Sequence, residues 1–155
     1  SWYDVEDAKF YDFMEVRMAI ETLAVRLSVE RASAKQVREL AQVQESFDEA
    51  VKSQDLVRMI MLDELFHTKI IGFTRNQLLI NINKQLLECF RVYRGDSFTN
   101  KDVYVNAVEP HERILFCFQT KNAVQAVEEM QKHLEITSCD MELIHEKEQK
   151  PAVNL

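Results

Sequence analysis

The stretch Leu62-Asp63-Glu64-Leu65-Phe66-His67, "LDELFH", sets a carboxylate and an imidazole four residues apart among large apolar side chains. On a helix, Asp63 and His67 lie one above the other on a single face. The longer row Leu56, Ile60, Asp63, His67, Ile70, Thr74 keeps the alternating steps of four and three of a core-facing helix. Phe66 and Leu62 flank the pair, so the face is not fully wet. A buried polar pair needs a partner, because leaving it unsatisfied costs several kcal/mol.

The rest of the chain supports a helix here. Of 155 residues only two are Gly and two are Pro, while strong helix formers abound. This composition predicts an all-α fold in one domain, with enough chain to bury a core and a cavity within it. Six helices are read: Asp7 to Arg31; Ser33, as N-cap, to Lys52; Asp55 to Phe73; Asn76 to Arg94; Lys101 to Thr120; and Asn122, as cap, to His145. Gly95 to Asn100 reads as a loop, and the polar end around Pro151 as a frayed tail. Short connections predict antiparallel neighbours, in a bundle of about six to seven helices around a central metal or ligand cavity.

The polar intruders recur. The first helix presents Phe10, Phe13, Arg17, Ile20, Ala24 and Leu27 at core spacing, with Arg17 inside the stripe. Its guanidinium needs an anion, snorkels to water, or receives a ligand carboxylate through its planar fork; Glu21, one turn on, is the internal candidate. The fifth helix reads Tyr104, Ala107, His111, Ile114, Phe118, and the sixth Ala126, Met130, His133, Thr137. Three histidines and one aspartate thus point inward from three helices. Imidazole nitrogen and carboxylate are ligands for zinc, nickel, iron, manganese and similar ions, with zinc favoured by this set. Unrelated core histidines are the plainer alternative.

Two further readings compete. The repeats Glu64-x-x-His67 and Glu142-x-x-His145 carry the spacing of ferritin-like di-iron bundles, with Glu21 and Glu88 or Glu112 as further carboxylates. That reading idles Asp63, His111 and His133. His145, among Glu142, Glu146, Lys147 and Glu148, reads as solvated. A metal-dependent hydrolase of helical-bundle type would need a base and an acid beside a metal-bound water, for which Glu64 and Glu112 are the candidates. A helical interaction module with a structural metal is the other alternative.

Composition also excludes. The net charge of −7 disfavours nucleic-acid binding by this chain itself. There is no Gly-rich phosphate loop and no apolar run of membrane-spanning length. Cys89, Cys117 and Cys139 are odd in number and far apart, which reads as three reduced thiols in a cytoplasmic protein's core.

Several blocks taken together resemble the FCD effector-binding domain of the FadR subgroup of GntR-type bacterial transcription regulators. They are "VRMAIETLAVRLSVERAS" at 16–33 with its Arg-x-x-x-Glu, "QVRELAQVQESFDEAV" at 36–51, "LDELFHTKIIGFTRNQLL" at 62–79, "VEPHERIL" at 108–115 and "AVEEMQKHLE" at 126–135. The third block matches an Asp-x-x-x-His followed nine residues on by an Asn, and the 22 residues from His111 to His133 fit the pattern. The match runs from about Phe10 to Ile144. It implies that Asp63, His67, His111 and His133 hold a divalent metal, and that a small carboxylate binds beside it. Arg17 would anchor the carboxylate, Asn76 would line the pocket, and Glu21, Arg91 and Arg94 would stand near. It also implies a non-enzymatic, cytoplasmic homodimer with no membrane partner, reaching DNA through an upstream winged helix-turn-helix that these residues do not include. Residues 1–6 would then end a linker, 7–146 form the effector domain and 147–155 a polar tail. Pro110, directly before His111, either kinks the fifth helix or opens a shorter one at its first turn.

Overall fold

The computed structural model describes residues 7–94 and 100–149, with side chains described within 10–91 and 100–141. The described residues form seven helices: α1 Asp7–Arg31, α2 Ala34–Lys52, α3 Leu56–Phe73, α4 Gln77–Arg94, α5 Lys101–Val105, α6 Val108–Gln119 and α7 Ala123–Gln149. They build an antiparallel bundle in which α3 is central, touching α1, α2, α4 and α5, while α7 lies along α1 and α6.

The helix starts follow their caps. Ser33 closes a capping box with Gln36 at the head of α2, Asp55 accepts the Arg58 N–H at α3, and Asn122 accepts the Gln125 N–H at α7. Three tight connections turn through a left-handed residue that is not glycine: Gln54, Arg75 and Lys121. At one of them, Arg31 Nη1 donates to Thr74 O at 2.7 Å and Arg75 Nη2 donates to Arg31 O at 3.2 Å, so the ends of α1 and α3 bind each other's carbonyls.

The expected fifth helix is two helices. A proline in a continuous helix would clash with the carbonyl four residues earlier, here Asn106, and Asn106 is where α5 ends. Helix α6 then begins at Val108, so Pro110 falls in its first turn, where its missing N–H would have had no partner anyway. The first intrahelical bond is the next one, from His111 N–H to Ala107 O at 3.0 Å. The apolar row survives the break: Tyr104, Ala107, His111, Ile114 and Phe118 are all buried. Helix α7 runs to Gln149, past the expected end near His145; 150–155 and the loop at 95–99 lie outside the described residues.

The main core gathers Phe66, Ile70, Ile114, Phe118, Met130 and Leu134 between α3, α6 and α7. Two smaller clusters flank it, one around Phe10, Phe13 and Met141, the other around Phe47, Met59 and Tyr104. The cysteines are free, but only Cys117 is buried; Cys139 is exposed, contrary to the expectation of three core thiols, because it lies off the inward row of α7. No described helix is long and apolar enough to cross a membrane.

Candidate metal centre and adjoining cavity

Asp63 and His67 from α3, His111 from α6 and His133 from α7 converge, with one ligand atom of each lying within 4.8 Å of all the others. His67 Nε2 lies 3.7 Å and His111 Nε2 3.2 Å from Asp63 Oδ1, and His133 Nε2 lies 3.2 Å from His67 Nε2. His67, His111 and His133 are buried, while Asp63 keeps 18 % of its side chain exposed. The stacked ring of Phe66, 4.1 Å from the His111 centroid, walls one side.

The outer nitrogens show why the inner ones are available. His67 Nδ1 donates to Glu21 Oε1 on α1, in a short contact. His111 Nδ1 lies 3.0 Å from Gln44 Oε1 on α2, and Gln44 Nε2 donates to Asp48 Oδ1 at 2.8 Å. With the amide nitrogen turned to the Asp48 carboxyl, the amide oxygen can only accept, so His111 carries its proton on Nδ1. Its Nε2 is then a bare lone pair, fully buried, without a hydrogen-bond partner and facing a carboxylate oxygen. A cation resolves that arrangement. Outer-sphere partners that fix imidazole tautomers in this way accompany metal-binding histidines generally. The donor set and the orphaned nitrogen therefore fit a divalent metal; Asp63, His67, His111 and His133 could hold one.

Electrostatics agree. Burial is the largest influence on His111 and on His133, and it pushes both below the ordinary imidazole value, His133 well below, against the opposing pull of Asp63. Both are neutral lone-pair donors near pH 7. Burial also acts to raise the Asp63 carboxyl, but contact with His111 and the nearby His67 and His133 outweigh it and hold Asp63 well below the usual carboxylate range. Glu21 is similarly raised by burial, then pulled down to about 2 by His67 and Arg17.

Arg17 does sit in the inward stripe. Its Nε donates to Glu21 Oε2 at 2.5 Å, and its guanidinium carbon lies 5.3 Å from the Phe90 ring centroid. A cavity between α1, α3 and α4 holds about 430 Å³ of empty space, part of it open to solvent, with Arg17, Glu21, Asp63 and His67 on its floor. A second space of about 360 Å³ reaches Arg17, Asp63 and His133 from the α5–α7 side.

Two expected pocket residues lie outside the linings of both spaces. Asn76 is not among the residues lining either of these spaces; it caps α4, where its Oδ1 accepts the Leu79 N–H at 3.1 Å. Arg91 is 54 % exposed and pairs with Glu64 on the cavity wall, so its guanidinium is committed at the rim. The Arg94 side chain lies outside the described residues, as do those of Glu142 and His145. Glu112, a candidate base, is exposed and faces Asp48. Gln44 was missed, although it interrupts the buried row Leu40, Gln44, Phe47 as Arg17 interrupts its own.

Comparison with known proteins agrees with this architecture. The FCD domain family model matches residues 12–136. The chain is 25 % identical over 142 residues to the "Uxu operon regulator" of Haemophilus influenzae, covering 85 % of this chain and 51 % of that protein. It thus spans about half the length of that curated relative. Two solved structures share the fold. Streptococcus agalactiae GntR has a TM-score of 0.75 at 20 % identity, over 88 % of this chain and 62 % of that one. E. coli McbR/YncC has a TM-score of 0.77 at 18 % identity, over 94 % and 68 %. The family and its relatives are transcriptional regulators, not enzymes. With a helical bundle of this topology and a family match across most of its length, the chain belongs to the FCD domain family.

Proposed function

We propose that this chain is the effector-sensing domain of a bacterial GntR-type transcriptional regulator of the FadR subgroup. It binds a divalent metal through Asp63, His67, His111 and His133, and a small carboxylate beside it. The carrying observation is the buried, partnerless His111 Nε2 set against Asp63 with two more imidazoles at hand. Zinc suits this nitrogen-rich set best, with nickel, iron and manganese as alternatives. When bound, the metal offers a Lewis-acidic docking point for an oxygen anion. Arg17 holds the anion's other side with its terminal nitrogens, since Glu21 already occupies its Nε.

Residues 7–146 form the sensing unit of a cytoplasmic homodimer, and its winged helix-turn-helix lies outside this chain. A ligand shifts such a regulator only through unequal affinity for two arrangements of the DNA-binding domains. Elemental analysis of the untagged chain beside His133→Ala tests the metal. About one divalent ion per chain, lost in the variant, is expected. No metal in either after reconstitution would sink the reading.

A further inference from the structure

We infer that the ligand of this cavity is a monocarboxylate with an apolar body, and neither a polycarboxylate nor a polyhydroxylated acid. The inference rests on the carboxylate-sensing reading above and narrows it. The cavity has two chemically distinct ends. Its floor carries Arg17 and the Asp63–His67 edge of the metal cluster. The rest of its lining is dominated by Leu86, Leu87 and Phe90 of α4 and Phe13 of α1, with the two phenyl rings stacked at 5.6 Å and 14° and Phe90 reaching back under the Arg17 guanidinium. Most of the surface it exposes is apolar.

Among the described residues, Arg17 is the single cationic side chain in that lining. The nearby Arg91 is drawn to Glu64 at the rim. Within the described lining, a second ligand carboxylate would therefore meet Glu64 or the Leu86–Leu87 wall, with no further cation to compensate its desolvation. A polyol chain fares little better. Thr68 already donates its hydroxyl proton to Glu64 O at 2.7 Å and can only accept further, leaving Asn83 as the remaining neutral polar donor among the described lining residues. Several hydroxyls against leucine and phenylalanine would stay unpaired. A branched aliphatic or aromatic body removes that cost and gains burial.

The test is calorimetric titration of the metal-loaded chain with three probes that each chelate through a carboxylate and its α-oxygen: the 2-oxo acids α-ketoisocaproate and α-ketoglutarate, and the 2-hydroxy acid gluconate. α-Ketoisocaproate is expected to bind at least tenfold tighter than either of the others. Leu87→Asn should shrink that ratio, whereas the volume-conserving Leu86→Met should keep it; circular dichroism checks that each variant folds. Equal or tighter binding of gluconate or α-ketoglutarate by the parent chain would overturn this inference and leave the carboxylate-sensing reading intact. Binding of none of the three by metal-loaded protein would overturn both.

Discussion

His67 and His111 perform the same task with different help. Each turns Nε2 towards Asp63 and gives its other nitrogen to a side chain from a neighbouring helix. For His67 the helper is the Glu21 carboxylate, and for His111 it is the Gln44 amide. What stands behind each helper explains the choice. Behind Glu21 is Arg17, a donor, so Glu21 must accept twice, which an ionised carboxylate does. Behind Gln44 is Asp48, an acceptor, so Gln44 must accept on one side and donate on the other, which an amide does and a carboxylate cannot. The site is thus a charged arm facing the cavity and an amide-linked arm running out from the core to the half-buried Asp48.

The largest expected effect comes from cutting the two arms with one apolar substitution. Glu21→Leu strands the Arg17 guanidinium, 12 % exposed, as well as His67, and should cost about 3 kcal/mol in denaturant unfolding of the metal-free chain. Gln44→Leu strands one neutral donor, the His111 ring N–H, and the acceptors Val108 O and half-buried Asp48, and should cost about 1 to 2 kcal/mol. Equal costs would break the distinction between the arms.

Metal affinity sharpens it. Gln44→Met keeps the volume and removes the acceptor for His111, so competition with a chelator should report roughly 10- to 100-fold weaker binding. Gln44→Glu restores an acceptor and should recover most of that affinity. Its carboxylate would face Asp48 without a donor between them, so the metal-free form should melt lower than the parent. Recovery of neither affinity nor fold by Gln44→Glu, with Gln44→Met still folded, would deny Gln44 a positioning role.

The charged arm was more legible in the sequence than the amide-linked one. Arg17, Asp63, His67, His111 and His133 stand out because each is ionisable and interrupts an apolar row of helical period. Gln44 interrupts its row just as plainly, but an amide is no ligand of the kind its neighbours are, so nothing in its chemistry ties it to them before the fold does. Asn76 is the opposite case. A position matched to a family does not say where its side chain points, and asparagine before a helix is already accounted for by capping. Pro110 left two geometries open, and the count of unpaired first-turn N–H groups decides between them. The Arg91–Glu64 pair was out of reach, since it depends on how α3 and α4 pack across 27 residues of chain.

The smallest effect lies at the outer end of the amide-linked arm. Burial first, and the facing Glu112 next, raise the Asp48 carboxyl to about 6, against the pull of Gln44 and Lys52. An acid with a raised folded-state value holds its proton more tightly when folded than when unfolded. Its ionisation therefore weakens the fold progressively as pH rises from the ordinary carboxyl value towards about 6, and fully above that. Asp48→Asn cannot ionise, yet keeps an oxygen to accept the Gln44 N–H. Its melting temperature should exceed the parent's at about pH 8 and match it at about pH 4. Solvent screening at this half-buried position keeps the gain under about 1 kcal/mol. Because the Gln44 amide stays oriented, metal affinity at neutral pH should not move. The Glu21 arm should show no such window, since its carboxyl is shifted the other way and stays ionised throughout that range. A gain from Asp48→Asn that is the same at both pH values would mean the two carboxyls do not oppose each other, and that the amide-linked arm ends at Gln44.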